Sequence, residues 1–371
     1  MLLVTFCIEP MRVPENLMTP KKLTIRDVAK LADVSHMTVS RVMNNDPRVK
    51  PETRERILKL INDLRYRPDP TARMFASRKS FLLGLIVSDI RNPFYAELAR
   101  GIEEETYKNG YSVLFCSTDN RPERIDNYVN HMIGAGVEGI MFASARLKEP
   151  IVEQLISERF PIVLMNRKIA GNNCNYVVID NCKGAYDITK YLIGSGYKRI
   201  GLVSGPNSLS TGKERLNGYK KALAEHGIEI KSDYIFQGPF TKETGYEGAL
   251  KLLNIKSRPD ALFAGNDYIA MGVLDAIEEK GLRVPRDIAV VGFDDTEFAS
   301  NKRINLTTVS QRQFEMGSLG AKILINYIES KQSNYVHQIV LEPKIIIRES
   351  CGNRTKNAQK TINKIDRKIS K

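Results

Sequence analysis

From residue 82 onward, short apolar runs alternate with amphipathic helical stretches. The runs at 82–88, 112–117, 139–144, 161–166, 176–180, 199–204, 261–266 and 289–293 read as strands. Between them, 95–109, 182–194, 211–226, 241–253 and 267–280 carry the helical period. Many of these close on a stop signal, as at Asn109-Gly110, Gly227 and Gly281. Repeated strand–helix units predict an α/β body of doubly wound parallel sheets, covered by helices on both faces. The similar openings "LLGLIVSD" and "RIGLVSG" predict two lobes.

Before residue 80 the pattern is helical throughout. Thr24-Ile25-Arg26-Asp27 has the form of a capping box opening a first helix through Leu31. Ala32-Asp33-Val34 makes a tight connection, and Ser35 caps a second helix whose Val39, Val42 and Met43 share a face. That leaves His36, Met37, Ser40 and Arg41 outward, short side chains and an Arg suited to a major groove. A third helix opens at Pro51 and runs through Ile57, Leu58, Ile61 and Leu64. After Tyr66-Arg67-Pro68-Asp69-Pro70 the period resumes over 71–79, too briefly for a helix that stands alone in water. The expected organisation is therefore a disordered or mis-started N-terminus (1–20), an all-α helix-turn-helix head (22–68), a hinge helix and linker (69–80), a two-lobed core (81–350) and a basic flexible tail (352–371).

Charge sharpens this division. Residues 21–80 carry 15 Lys/Arg against 7 Asp/Glu, the tail 354–371 carries 7 against 1, and the 273 residues of 81–353 are neutral overall. A basic head on a neutral body suits a polyanion met by the head alone. The tail is expected to be a solvated end. No apolar run approaches the roughly 18 residues of a membrane span. The start, 1–15, lacks the basic and apolar regions of a signal peptide, and Met18-Thr19-Pro20-Lys21-Lys22 looks a more natural beginning. Five scattered cysteines without a C-x-x-C pattern fit a reducing cytoplasm. Four scattered histidines offer no metal site, and no cofactor is expected.

Open α/β sheets bind ligands beyond the carboxyl ends of their strands. Polar residues gather there: Ser88-Asp89, Ser144, Asn166-Arg167, Asn266-Asp267 and Asp294-Asp295, with Phe94, Tyr95 and Phe240 close behind. Carboxylate, amide and guanidinium groups beside aromatic faces suit a small polyhydroxylated or planar polar ligand. Asn or Asp at these positions also caps the following helix, and Asp267 is expected to do only that. Arg215 and Asp294 are matched handles for such a ligand, or else an internal ion pair.

The head run "LTIRDVAKLADVSHMTVSRVMNNDPRVKPETRERILKLINDLRYRPDPTARMFASRKS" resembles the lactose/galactose-repressor family of bacterial transcriptional regulators without a gap. The resemblance continues across the body in "SDIRNPFYAELARGIE", "SGPNSLSTGKERLNGYKKAL", "AGNDYIAMGVLDAIEEKGLRVPRDIAVVGFDD" and "LTTVSQRQFEMG". It implies a core similar to periplasmic sugar-binding proteins. It also implies DNA contacts from Ser35, His36, Met37, Thr38, Arg41 and Tyr66, with Ala72 and Phe75 on a hinge helix that orders when two subunits meet on operator DNA. Phe94, Tyr95, Asn166, Thr211, Arg215, Phe240, Asn266 and Asp294 would line an effector cleft for a sugar, sugar derivative or nucleobase-like ligand. The implied assembly is a cytoplasmic homodimer on double-stranded operator DNA, with room for a corepressor protein and no membrane partner. Three positions depart from the family's habit: Phe75 stands where Leu is usual, Asp69 where Asn is usual, and Asn166 where many relatives have Asp.

An enzymatic reading finds no support. Gly205 to Lys213 resembles a phosphate-binding loop, but six residues separate its glycines and Glu214 follows the lysine. An extracytoplasmic binding protein would have no use for the basic head. The expectation is a sequence-specific DNA-binding regulator, a repressor by family habit, under the control of a small effector.

Overall fold

The computed structural model describes residues 23–43, 46–66, 79–171, 173–330 and 336–352. The expected N-terminal segment 1–20, most of the hinge (with Ala72 and Phe75) and nearly all of the basic tail lie outside the described residues. The chain divides into two compact units, 1–80 and 81–371.

The head holds α1 (Ile25–Leu31), α2 (His36–Met43) and α3 (Pro51–Asp63). The box at Thr24 is reciprocal: its Oγ1 accepts from the Asp27 amide at 3.4 Å, and its own amide donates to Asp27 Oδ2 at 2.8 Å. Pro51 occupies the first turn of α3, where a missing amide proton costs nothing. Val28, Ala29, Val39, Val42, Ile57 and Tyr66 form the buried centre. Of the apolar residues along α3, Ile57 is fully buried and Leu58 is among the exposed large side chains.

The body contains two parallel sheets. The larger runs in the order β11-β5-β4-β3-β1-β2: β1 Leu82–Val87, β2 Ser112–Ser117, β3 Gly139–Phe142, β4 Ile162–Met165, β5 Tyr176–Ile179 and β11 Gln338–Leu341. The smaller runs β7-β6-β8-β9: β6 Ile200–Ser204, β7 Ile235–Gln237, β8 Ala261–Ala264 and β9 Ala289–Val291. An antiparallel pair, β10 (Thr308–Ser310) with β12 (Lys344–Ile346), stands beside the second sheet.

Each sheet is packed on both faces, which is why its strands are near-continuous apolar runs. In the first lobe, α4 (Pro93–Lys108) and α12 (Gln313–Ser330) bury Leu98, Ile102, Met316 and Leu324 against Leu83, Leu85 and Met141. On the opposite face, α5 (Arg124–Gly134) and α6 (Pro150–Ser157) bury Ile125, Val129 and Leu155 against Ile86, Ile140 and Phe142. In the second lobe, α7 (Asn181–Gly194) and α8 (Ser210–Glu225) cover one face with Ile188, Leu192 and Tyr219. There α9 (Lys242–Leu253) and α10 (Asp267–Glu279) cover the other with Leu252, Ile269 and Val273. Fully buried side chains of this size each contribute roughly 1.5–3 kcal/mol. A short α11 (Glu297–Ser300) completes the lobe. The chain passes between lobes after β5, after β10 and after β11, so the two sheets share three connections.

Candidate functional site

Two surfaces carry the functional argument. On the head, the Ser35 hydroxyl accepts from the Thr38 amide at 3.1 Å and shares a hydrogen bond with the Thr38 hydroxyl at 2.9 Å, fixing the start of α2. With Val39 and Val42 turned inward, Ser35, His36, Met37 and Arg41 are exposed and Thr38 and Ser40 half-buried. Arg41 Nε lies 4.0 Å from Asp46 Oδ2, and Arg48 grips the same carboxylate through Nε and NH2 at 2.9 and 2.6 Å. The Arg48 hydrogen bonds hold the Asp46 carboxyl well below the usual carboxylate range. Tyr66 differs from its expected place at the DNA surface. Its ring is buried in the head core, because the chain turns back after α3 with the Tyr66 amide donating to Ile61 O at 2.9 Å.

In the body, Phe94, Tyr95, Asn166, Thr211, Arg215, Phe240, Asn266 and Asp294 line one pocket between the lobes, joined by Ser88, Asp89, Asn92, Asn120, Arg167 and Gln311. Each comes from a strand's carboxyl end or the helix that follows. Asn92 caps α4 by accepting from the Phe94 amide at 3.0 Å, which sets Phe94 and Tyr95 edge-to-face at 5.2 Å. Asn166 turns off β4 with φ 64°, a left-handed conformation that Asn tolerates better than most residues. Phe240 closes over Gly205, where an added Cβ would lie 2.1 Å from the ring; only glycine lets the ring sit so low.

Arg215 is the centre of the site. It is buried, donates from Nε to Asn181 Oδ1 at 2.9 Å and from NH1 to Gly265 O at 2.6 Å, and stacks 3.8 Å above the Phe293 ring. Its NH1 is 3.7 Å from Asp294 Oδ1, so the two residues form an internal ion pair and also line the cleft. Asp294 further accepts a hydrogen bond from Gln311 Nε2. Burial pushes the Asp294 carboxyl above the usual carboxylate range, with Arg215 opposing and nearby Asp267 reinforcing the rise. Desolvation likewise lowers Arg215.

A raised acid pKa has a definite sign. The folded protein holds the Asp294 proton more tightly than the unfolded chain does, so this contribution to stability is full at acid pH. It is lost as pH rises above the ordinary aspartate value of 3.8. Asp294→Asn should flatten that decline by up to about 1.4 kcal/mol per pH unit, the limit for one proton. Urea midpoints between acid and neutral pH measure it, and identical slopes in both proteins would refute the assignment.

Asp267 does not cap α10. Asn266 does, accepting from the Ile269 amide at 2.8 Å, while Asp267 accepts from the Thr296 amide at 2.8 Å and the Thr308 hydroxyl at 2.7 Å. Its buried carboxylate ties two loops beneath the cleft, a role that strand-end position alone does not reveal. Sequence reasoning left Asn92, Asn120 and Gln311 unnamed. Gln311 reaches the site on a connection between lobes, 17 residues after its partner Asp294.

The lobes also touch at the rim. The Leu147 amide donates to Ser208 O at 2.9 Å, the Lys168 amide to Ser210 Oγ at 2.9 Å, and Lys168 Nζ pairs with Glu214 at 3.0 Å. Amide, guanidinium, carboxylate and aromatic groups converge in this cleft, a set suited to recognising a small polar ligand.

Comparison with known proteins finds matches to both the head and the body. Residues 24–69 match the family described as bacterial regulatory proteins, lacI family, and 189–351 match a periplasmic binding protein-like domain. Catabolite control protein A of Priestia megaterium is 38% identical over 310 residues, covering 83% of this chain and 93% of the relative. Among solved structures, the Lac repressor dimer bound to operator and the anti-inducer ONPF superposes with a TM-score of 0.78 at 27% identity, covering 90% of this chain and 100% of that one. The transcriptional regulator CelR–cellobiose complex gives 0.66 at 31%, covering 88% and 99%. Among the described residues, no helix is long and apolar enough to cross a membrane. A helix-turn-helix head, a two-lobed core and these relatives place the chain in the lacI family of bacterial regulatory proteins, as a DNA-binding transcriptional regulator and not an enzyme.

Proposed function

We propose that the protein is a cytoplasmic repressor that binds a palindromic operator as a homodimer, under the control of a small polar effector held between its lobes. The observation that carries this reading is the convergence of eight residues from both lobes on one buried polar pocket, in a chain whose head presents His36, Met37 and Arg41 outward. One head covers only a half-site, so paired heads reading an inverted repeat follow from the size of the motif. Ser35 and Thr38 are positioned for phosphates and His36, Met37 and Arg41 for base edges. The proposed dimer interface brings the hinge residues Ala72 and Phe75 to the DNA, Phe75 as an apolar wedge in the minor groove.

The effector's role follows from the position of the cleft. A ligand touching both lobes has different affinities for open and closed arrangements, and only that difference can shift the equilibrium between them. The test uses duplexes selected by the protein from a random library, titrated by fluorescence anisotropy with sugars, sugar phosphates and nucleobases. The expected result is an inverted repeat bound by a dimer, with one ligand class changing its affinity about 5- to 150-fold. Saturable protection of a single half-site by a monomer, or indifference to duplex sequence, would refute the reading.

A further inference from the structure

The cleft continues beyond the pocket around Arg215. Past Phe240 and Arg167, which line both parts, lies an outer chamber of about 320 Å³. Its walls include Ser88, Ser144, Arg146, Asn207 and Gln237 but no carboxylate. The two acids that line the inner pocket, Asp89 and Asp294, and Glu149 beside Arg146 are each paired with a cation. Arg91 takes Asp89 at 2.8 Å, Arg146 takes Glu149 at 2.9 Å, and Arg215 takes Asp294 at 3.7 Å.

Arg167 differs. It is 4% exposed, and its NH1 and NH2 donate only to neutral oxygens, Ser144 O at 3.1 Å and Tyr95 Oη at 3.4 Å. Its Nε has no hydrogen-bond partner among the described residues, and neither do Ser88 Oγ and Ser144 Oγ. It is also close enough to Arg215 to work against that residue's charge. A buried guanidinium without a counter-charge is costly, and a ligand that supplies the opposite charge relieves that cost.

We propose that the effector is a phosphorylated polyol. Its phosphate sits in the outer chamber against Arg167 and the hydroxyls of Ser88 and Ser144, and its own hydroxyls face Arg215, Asp294 and Asn266. This rests on the effector-binding reading above and names the ligand class for that site. Planar guanidinium and tetrahedral oxyanion match in geometry, and hydroxyl donors complete the shell without adding charge.

The test is calorimetric titration of the full chain with hexose and pentose monophosphates, the corresponding free sugars, and inorganic phosphate alone. Wild type should bind at least one monophosphate about tenfold or more tightly than its parent sugar, the scale of one charge-assisted pair. Arg167→Met should remove that advantage, lowering the monophosphate's affinity by about tenfold more than it lowers the free sugar's. Ser144→Ala, which keeps the charge and the fold's contacts, should reduce the same advantage. Inorganic phosphate binding with the same dependence on Arg167 supports the oxyanion site and identifies free phosphate as a second source. Free sugars or nucleobases binding as tightly as phosphates, equal phosphate binding by wild type and Arg167→Met (the basic head then being the site), or no binding of any phosphate would each overturn the proposal. None of those results touches the regulator reading, which fails only if the same preparation shows no sequence-selective duplex binding.

Discussion

Arg215→Met is expected to lower the stability of the two-lobed core by about 3–5 kcal/mol, the usual cost of removing one partner from a buried ion pair. Methionine fills much of the volume and keeps an apolar contact with Phe293, so lost packing is the smaller part. The larger part is polar. Asn181 Oδ1 and Gly265 O lose their donor, and Asp294 is left buried beside Asp267 without its cation. Because the Asp294 carboxyl is already pushed upward, it can take a proton, and the deficit should shrink as pH falls. The double variant Arg215→Met/Asp294→Asn should cost less than the sum of the single variants, since it leaves no unpaired charge. Urea midpoints at acid and neutral pH measure all three proteins. The effector response should vanish in Arg215→Met as well, because the same guanidinium lines the pocket. An unchanged midpoint with a lost response would make Arg215 a ligand handle alone and refute its structural role.

The ion pair shows where sequence reasoning reaches and where it stops. All eight expected strand segments form strands, and six of them end earlier than their polarity pattern suggests. The residues trimmed away include Ser88, Ser144, Asn166, Asp180 and Asn266. These leave the ladder at the carboxyl edge, and most of them turn toward the cleft, so the boundary error coincides with the site. Apolar runs are legible because burial on both faces demands them. The pair β10 and β12 is not, since three-residue strands take their identity from a partner more than thirty residues away, as Thr308 does from Ile346. The membership of the cleft was readable from strand-end polarity and from the family resemblance. Its electrostatics were not. Asp267 as a loop tie and Arg167 without a counter-charge depend on Thr296, Thr308, Ser144 and Tyr95, which only the fold brings near. Tyr66 shows the reverse case, an aromatic that the family resemblance assigns to DNA and that packing buries in the head core.

On the head, Arg41→Ala is expected to weaken binding to each half-site of the selected operator by about 1–3 kcal/mol, the range for one bidentate base contact, and to relax base choice at one position of each half-site. In a dimer the loss occurs twice, so affinity for a symmetric operator should fall by the square of the half-site factor. Arg41 is exposed, one turn after Met37 on the face of α2 opposite Val39 and Val42, so a groove-bound helix carries it toward base edges. Asp46, 4.0 Å from its Nε, draws the free side chain toward the loop after α2. Arg48 shares that carboxylate and would keep it paired when Arg41 swings to DNA, which limits what the transfer costs. Arg41→Lys keeps the charge but has no planar fork, so it should retain non-specific affinity while losing most of the discrimination. Two measurements separate the roles: the ratio of operator to scrambled-duplex affinity, and the slope of log affinity against log salt. A base reader lowers the ratio and barely moves the slope, whereas a phosphate contact lowers both affinities alike and reduces the slope by about one ion per head. Equal losses on operator and scrambled DNA in Arg41→Ala would transfer the residue from reading bases to holding the backbone.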